Sequence, residues 1–369
     1  MTGGLLTAEG QNWRMQRRVL APLFARKSVM NFSAAMLAVA NGLVERLGKR
    51  DGEVVDLAVE GTRVTLQVLE RTIFSDGFGR APEDIRLAMK SYFDTIGRID
   101  PFDMLGIPDF VPRPRRWKLR PALKVFESAI DTMISERRDR IAKHPESAPR
   151  DILTFLLEAA DPETGETLTE TEVRANILTF IAAGHETTAN CISWTLYLLS
   201  QSATWRNRIW AEAERELDGP VETLADRLTD TRAVIDETNR LYPPISAISR
   251  VAIGRDALAG EQIKPGTMIV IAPYVLHRHR ALWEKPDIFD PRRFSGKARD
   301  TIARFAYLPF GVGPRICIGA TFALQEASIV VAALMKNFKF ETTPGFTPWP
   351  VQKVTLRPKD GLPMIVRRR

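Results

Sequence analysis

The segment FGVGPRICIG, residues 310–319, places a single cysteine, Cys317, just before a strongly apolar stretch with helical spacing. A deprotonated thiol is a strong, soft ligand for iron, and a helix N-terminus favours the charged form through its backbone N–H groups and its dipole. Gly311 and Gly319 allow the backbone to approach a flat macrocycle without side-chain collision. The segment therefore indicates a thiolate ligand in a loop that can lie against a planar cofactor.

Two further side chains of this loop suit a metal macrocycle. Arg315 can pair with a carboxylate on the rim of the macrocycle, and Phe310 offers an aromatic wall near the sulfur that would tune the iron. A Cys–Gly pair alone is also common in buried structural loops. Here every fixed position of the spacing F-x-x-G-x-R-x-C-x-G is matched. The complete spacing resembles the haem-binding signature of the cytochrome P-450 family, the haem-thiolate monooxygenases.

A second motif interrupts the most apolar stretch of the chain. The segment AAGHETTAN, residues 182–190, is similar to the oxygen-activation motif of that family. The resemblance implies that Gly184 opens space over the iron for dioxygen, with the small Ala183 beside it. It also implies that Thr187 donates a hydrogen bond to bound oxygen, and that Glu186 feeds protons inward through water as a general acid. A polar interruption of a buried helix, with its groups paired, is the alternative for this motif alone.

A third motif joins two distant segments. Glu237 and Arg240 in DETNRLYPP (236–244) fit the family's E-x-x-R pattern, and FDPRRF (289–294) supplies the second arginine, Arg293. Without that second segment, Glu237 and Arg240 would be an ordinary surface pair. A buried network of the three would be costly to desolvate, so removal of one member is expected to cost about 3–5 kcal/mol. We expect it to act structurally, folding the cysteine side of the molecule and retaining haem.

The segment NWRMQRR, residues 12–18, resembles the helix that supports the haem from the other side. The resemblance implies that Trp13 and Arg17, at W-x-x-x-R spacing, reach the haem propionates, and that Arg250 does so as well. A tryptophan and an arginine four residues apart on a basic helix are weak evidence alone. His277, in another segment typical of the family, is expected to be structural.

Together the motifs imply an enzyme that binds haem b, iron protoporphyrin IX, through Cys317. The implied reaction uses O2 to hydroxylate a lipophilic small molecule. Electrons are expected from a separate ferredoxin or flavodoxin-type donor and its reductase, docking on a basic face near Arg14, Arg18 and Arg315.

Two alternatives remain open at this point. One is a peroxide-driven haem-thiolate enzyme, against which the retained Glu186 and Thr187 argue. The other is a catalytically impaired haem-binding fragment. This alternative arises because the chain begins almost at the W-x-x-x-R helix, whereas members of the family usually have further helices and strands before it. A mis-assigned start, a truncated gene and a shortened variant would each explain that beginning, and absent strands would leave a sheet edge unpaired.

The elements that must position these residues are mostly helical. We expect one domain, residues 1–369, mainly α with a minor β portion, of the cytochrome P-450 fold without its opening helices and first strands. Apolar residues recur at helical spacing in seven segments, 9–49, 81–97, 117–143, 172–200, 203–217, 230–242 and 319–337. Strand patterns occupy 247–254, 266–276 and 354–368, and the Pro-rich segment 101–116 predicts an ordered loop. Thr169 and Glu172 form a predicted capping box.

Composition restricts the other possibilities. The formal net charge is +7, but no concentrated basic stripe accompanies it, so we expect no nucleic-acid partner. With only two cysteines, Cys191 and Cys317, a disulfide framework is excluded and a reducing, cytoplasmic location is expected. Cys191 is expected in the core. His185 and Glu186 argue against a membrane span in the apolar segment 175–200.

Overall fold

The computed structural model of the chain describes residues 3–75, 77, 82–96 and 120–369. The described residues form a mainly α structure with small antiparallel sheets, as the sequence predicts. The segment 101–116 lies outside them. Among the described residues no helix is both long and apolar enough to cross a membrane.

The helices are numbered in chain order. Those of the first half are α1 Gly10–Leu20, α2 Arg26–Met30, α3 Ser33–Gly48, α4 Leu57–Thr72, α5 Pro82–Ile96, α6 Arg120–Lys143 and α7 Ile152–Glu158. Those of the second half are α8 Glu170–Gln201, α9 Ala203–Glu216, α10 Leu224–Arg227, α11 Thr229–Leu241, α12 Pro273–Leu276 and α13 Ala320–Asn337. Short 3-10 turns occupy Ala21–Phe24, Pro145–Ser147, Val221–Thr223, Pro291–Phe294 and Gly296–Thr301.

The strands are short and all their pairings are antiparallel. They are β1 Val54–Asp56, β2 Ile248–Val251, β3 Asp256–Leu258, β4 Glu261–Ile263, β5 Met268–Ile271, β6 Phe338–Thr342, β7 Pro350–Gln352, β8 Leu356–Pro358 and β9 Pro363–Arg368. The largest sheet of the described residues has the order β1-β9-β6, so the short strand after α3 pairs with the last strand of the chain. The other sheets, β2-β5, β3-β4 and β7-β8, are two-stranded within the described residues.

Helix α8 is the central element of the core. Its start is fixed by the predicted capping box, in which Thr169 and Glu172 each bond the other's backbone N–H. The second half of the helix, from His185 onward, is mostly buried, and Trp194 is 0% exposed near its end. A buried helix of this length offers a rigid support for any functional group it carries.

Helix α4 was not predicted, yet it packs directly against α8. A Cβ atom on Gly61 of α4 would lie 3.2 Å from the carbonyl oxygen of Ala189, so the glycine permits the two helices to approach closely. Its sequence is rich in β-branched residues such as Val59 and Val64, which disfavour a helix, and burial against α8 overrides that preference.

The predicted helical stretch 9–49 is helical, and it is divided into α1, α2 and α3. Pro22 follows α1 and occupies the first turn of a 3-10 segment, because a proline has no N–H for a continuing helix. The chain then continues through α2 into α3, so α1 is a separate helix and not the first part of α3.

Candidate active site

The cysteine loop, residues 310–319, is a compact turn that leads into α13. The backbone N–H of Cys317 donates to the carbonyl oxygen of Phe310 at 2.9 Å. Gly311 and Gly313 have φ angles of +73° and +77°, the left-handed region that only glycine adopts without strain. Gly319 is the N-cap of α13. The loop therefore presents the thiol at the start of a helix, as predicted.

Cys317 is exposed as a residue, but its sulfur atom is surrounded by protein atoms. The residue is accessible to solvent, while protein atoms surround the sulfur closely enough that burial raises the pKa of the thiol. The N–H of Gly319 and the positive charge of Arg17 oppose this rise. Such a thiol needs a bound metal to remain deprotonated at neutral pH. An accessible residue whose sulfur is enclosed lies in a depression of the surface, and the space over Cys317 is here called the recess.

Helix α1 brings two predicted residues to the same place. Arg17 is half-buried and near enough to Cys317 for their charges to interact, although burial is the larger effect and lowers the pKa of the guanidinium. The guanidinium carbon of Arg315 lies 4.6 Å from the ring centre of Trp13. Its Nη2 donates to the carbonyl oxygen of Ala8 at 2.6 Å. Trp13, Arg17 and Arg315 thus line one side of the recess.

Strand β2 adds a third arginine. A Cβ atom on Gly311 would lie 3.6 Å from Cδ1 of Ile248, so β2 touches the cysteine loop. Arg250 is two residues further along and shares the face of Ile248, because side chains alternate along a strand. Its side chain is exposed. Arg250 is therefore held beside the loop with its guanidinium accessible.

The central helix carries the other predicted residues. Ala183 is exposed in the middle of the buried helix α8, and the hydroxyl of Thr187 donates to its carbonyl oxygen at 2.7 Å. Ala183 is therefore an accessible point on the central helix. Gly184 lies on another face, where a Cβ atom would approach Cδ2 of Leu69 at 3.1 Å. The lack of a side chain at Gly184 thus allows Leu69 of α4 to pack closely against α8.

Glu186 points toward the C-terminal strands. Its Oε1 lies 3.4 Å from Nη1 of Arg357, which precedes the end of β8. One turn further along α8, Asn190 donates to Oγ1 of Thr355 at 3.0 Å. A cavity of about 360 Å³ opens here, lined by Asp56, Ala58, Val59, Thr62, Arg86, His185, Glu186, Asn190, Arg357, Pro358, Lys359, Asp360 and Gly361. Most of these lining side chains are charged or polar. A cavity of this size and polarity suits several water molecules.

The three-residue network is present in the structure. Arg240 donates from Nε and Nη2 to the two oxygens of Glu237 at 2.7 and 2.8 Å, and both side chains are 0% exposed. Nε of Arg293 lies 3.6 Å from Oε1 of Glu237. Burial raises the pKa of Glu237, and the hydrogen bonds from Arg240 oppose this. The remaining donors of Arg240 bond the carbonyl oxygens of His277, Pro286 and Ile288. The network fixes the segment before the cysteine loop.

Arg18 has a role that sequence reasoning missed. It was placed on a docking face for an electron donor, but its Nε donates to Oδ1 of Asp161 at 2.9 Å. The Asp161 carboxylate is enclosed by its own turn and by Arg18, which lowers its pKa to about 2. The two residues are 143 positions apart, so no local pattern signals the contact. Arg18 is thus held by an internal ion pair, Arg315 gives one donor to the Ala8 carbonyl oxygen, and Arg14 is exposed.

The residues around the recess fit a haem. One accessible thiol is a suitable iron ligand, guanidinium groups of Arg17, Arg250 and Arg315 suit the two propionates, and half-buried Phe310 offers an apolar wall. In the described part of the chain, no cluster of three or more histidine, cysteine or acidic side chains competes as a metal site.

Comparison with known proteins gives a consistent result. The family model of cytochrome P-450 matches residues 1–364. The chain is 33% identical over 347 residues to cyclooctat-9-en-7-ol 5-monooxygenase of Streptomyces melanosporofaciens, covering 93% of this chain and 74% of that protein. It is 31% identical over 375 residues to a cytokinin hydroxylase of Arabidopsis thaliana, covering 99% and 71%. The crystal structure of the cytochrome P-450DA heme domain superposes with a TM-score of 0.88 at 29% identity, covering 99% of this chain and 80% of that one.

Proposed function

The chain belongs to the cytochrome P-450 family, and on that premise we propose that it hydroxylates a lipophilic small molecule with electrons from a separate donor protein. It is a haem-dependent monooxygenase of mainly α fold, and its cofactor is haem b. Two of its relatives are named as a monooxygenase and a hydroxylase, which supports insertion of an oxygen atom as the reaction.

The accessible Cys317 thiol, beside Arg17 and at the start of α13, is the observation that carries the proposal. We assign Cys317 as the iron ligand. Arg17, Arg250, Arg315 and Trp13 would hold the propionate side of the cofactor. When bound, haem b supplies dioxygen binding and the oxidising power for insertion of an oxygen atom into a C–H bond.

Proton supply is assigned to α8. Glu186 lines the polar cavity, and we propose that it takes up protons from water there and releases them toward the haem site. Nη1 of Arg357 lies 3.4 Å from its Oε1 and places a positive charge beside the carboxylate. Thr187 holds a hydroxyl donor at the accessible face of the helix, next to Ala183.

The substrate is proposed to be apolar. The accessible Ala183 offers an aliphatic surface on α8. The two relatives are named for cyclooctat-9-en-7-ol and for a cytokinin, which are both small organic compounds. We propose a small molecule of terpenoid, fatty-acid or steroid-like character.

The electron donor is proposed to be a ferredoxin or a flavodoxin-type protein with its reductase. The exposed Arg14 on α1, close to the cysteine side, offers a positive contact for an acidic partner. Both cysteines are free thiols, which supports a reducing, cytoplasmic location.

The proposal is tested by turnover of the haem-loaded chain with a ferredoxin, its reductase and a panel of lipophilic compounds. We expect substrate-induced spectral shifts of the haem for a subset, and hydroxylated products that depend on reductant. Turnover supported only by peroxide would replace the proposal with a peroxide-driven enzyme. Haem binding without any product would leave the chain as a non-catalytic haem protein.

A further inference from the structure

His277 lies between the buried Glu237–Arg240 pair and the start of the cysteine loop. The residue is 0% exposed. Its carbonyl oxygen accepts a hydrogen bond from Nη1 of Arg240 at 2.8 Å. Its ring Nε2 accepts the backbone N–H of Leu308 at 2.8 Å. One residue thus connects α11 with the backbone that enters the loop.

The bond to Leu308 requires a neutral imidazole with its lone pair on Nε2. Burial supplies this condition, since it lowers the pKa of His277 to about 4, opposed in part by the backbone hydrogen bonds with Arg240 and Asn239. At neutral pH the ring is therefore an acceptor. The Leu308 N–H is part of a buried residue, so loss of the acceptor would leave a buried donor without a partner.

The neighbouring residue is anchored to the same helix. The hydroxyl of Tyr307 donates to the carbonyl oxygen of Asp236 at 2.8 Å, and its ring centre lies 5.2 Å from that of His277. Beyond Leu308 the chain reaches Phe310, whose carbonyl accepts the N–H of Cys317 at 2.9 Å. A shift at Leu308 is therefore passed to the thiol through a short, bonded turn.

We propose that His277 is a positioning residue for the cysteine ligand. Its ring Nε2 fixes the backbone at Leu308, where the chain enters the cysteine loop, and its carbonyl oxygen is in turn fixed by Arg240 of the Glu237–Arg240 pair. This inference rests on the proposed role of Cys317 as the iron ligand.

The test compares three variants of the haem-loaded chain. His277→Phe keeps a ring of similar size without an acceptor, whereas His277→Gln places an amide oxygen near the position of Nε2. The matched control is His279→Gln, because His279 is an exposed histidine two residues away. The readouts are the carbon monoxide difference spectrum, which distinguishes thiolate-ligated haem from haem that has lost the thiolate, and amide hydrogen exchange at Leu308.

We expect slow exchange at Leu308 in the parent, with an increase of about tenfold or more in His277→Phe. The same variant should lose most of the thiolate-type spectrum, while His277→Gln restores both signals and His279→Gln changes neither. Retention of the parent spectrum and protection in His277→Phe would overturn the inference.

Measurements on the parent chain test the inference even if His277→Phe does not fold. If its Leu308 amide exchanges as fast as an exposed loop amide, the bond to His277 is absent and the inference is wrong. If the parent shows no thiolate-type spectrum, the assignment of Cys317 fails instead. The two failures are thus distinguishable.

Discussion

The two cysteines of the chain differ in ways that decide their chemistry. Cys191 is buried in α8, and burial raises the pKa of its thiol to about 12, which makes it an inert core residue. Cys317 is accessible, receives a backbone N–H and faces the charge of Arg17. Sequence spacing selected Cys317, and its surroundings in the structure match the requirements of an iron ligand.

Thr187 allows a prediction at the same scale. Thr187→Ala should retain haem but release more reduced oxygen per product, because the hydroxyl donor at the accessible face of α8 is lost. The coupling ratio, product formed per reductant consumed, should fall by about tenfold. Thr187→Ser keeps the hydroxyl and serves as the control. A coupling ratio equal to that of the parent in Thr187→Ala would show that the hydroxyl has no role in proton handling.

At the scale of elements, α1 is held in place by long-range polar contacts. Arg18 bonds Asp161, and Asn176 of α8 donates to Oε1 of Gln16 at 2.9 Å. The same helix carries Trp13 and Arg17, so these contacts orient the two residues toward the recess. Local sequence patterns predict none of them, because each joins residues far apart in the chain.

The Arg18–Asp161 contact predicts a specific pH dependence. The hydrogen bond from Arg18 lowers the pKa of Asp161 from its ordinary 3.8 to about 2. Its stabilisation is therefore fully present above the ordinary value and is lost as the pH falls through the folded value. Asp161→Asn should lower the thermal midpoint by a constant amount between pH 7 and about 5, and the difference should close toward pH 2.

Thermal unfolding of both proteins across this range is the measurement. Glu163→Gln is the control, since Glu163 also faces Arg18 but is 66% exposed. A difference that stays constant down to pH 2 would show that the Asp161 charge does not stabilise the fold.

The Glu237 network predicts a large effect on stability. Arg240→Ala leaves the buried Glu237 carboxylate without its principal partner, and should lower the free energy of unfolding by about 3–5 kcal/mol. Arg293→Ala should cost less than the sequence alone predicts for a member of the network, because Arg293 is more distant and partly exposed. Denaturant titration measures both. The exposed Arg292 bonds Asp290 of its own turn, and Arg292→Ala should be indistinguishable from the parent. An equally small effect of Arg240→Ala would refute the network's structural role.

Most elements that carry motifs were predictable from sequence, whereas their supports were not. The capping box and period of α8 and the glycine spacing of the cysteine loop are local signals that the structure reproduces. Helix α4 was missed because its β-branched residues have low helix propensity, and the helix is stabilised by packing on α8. The polar cavity at Glu186 was missed because it is assembled from distant segments.

At the scale of the whole molecule, the β2-β5 sheet presents an apolar outer face. Its inner face carries Ile248, which touches the cysteine loop. On the outer face, Val251, Met268 and Val270 are 60%, 65% and 57% exposed. Within the described residues, β2 and β5 pair only with each other. An exposed apolar surface on a sheet with open edges favours self-association.

The combined substitution Met268→Thr and Val270→Thr should therefore reduce self-association of this polypeptide. Sedimentation or light scattering across a concentration series measures it. Val275→Thr is the matched control, because Val275 is 61% exposed but lies in α12 outside the sheet. Equal association of the double variant and the parent would show that this face is not adhesive.

The central claim, that Cys317 binds the haem iron, is tested most directly by the carbon monoxide difference spectrum of the reduced, haem-loaded chain. We predict the red-shifted Soret band of thiolate ligation for the parent and for Cys191→Ser, and its absence in Cys317→Ser. A spectrum of imidazole or water ligation in the parent, or a thiolate-type band that survives in Cys317→Ser, would contradict the account.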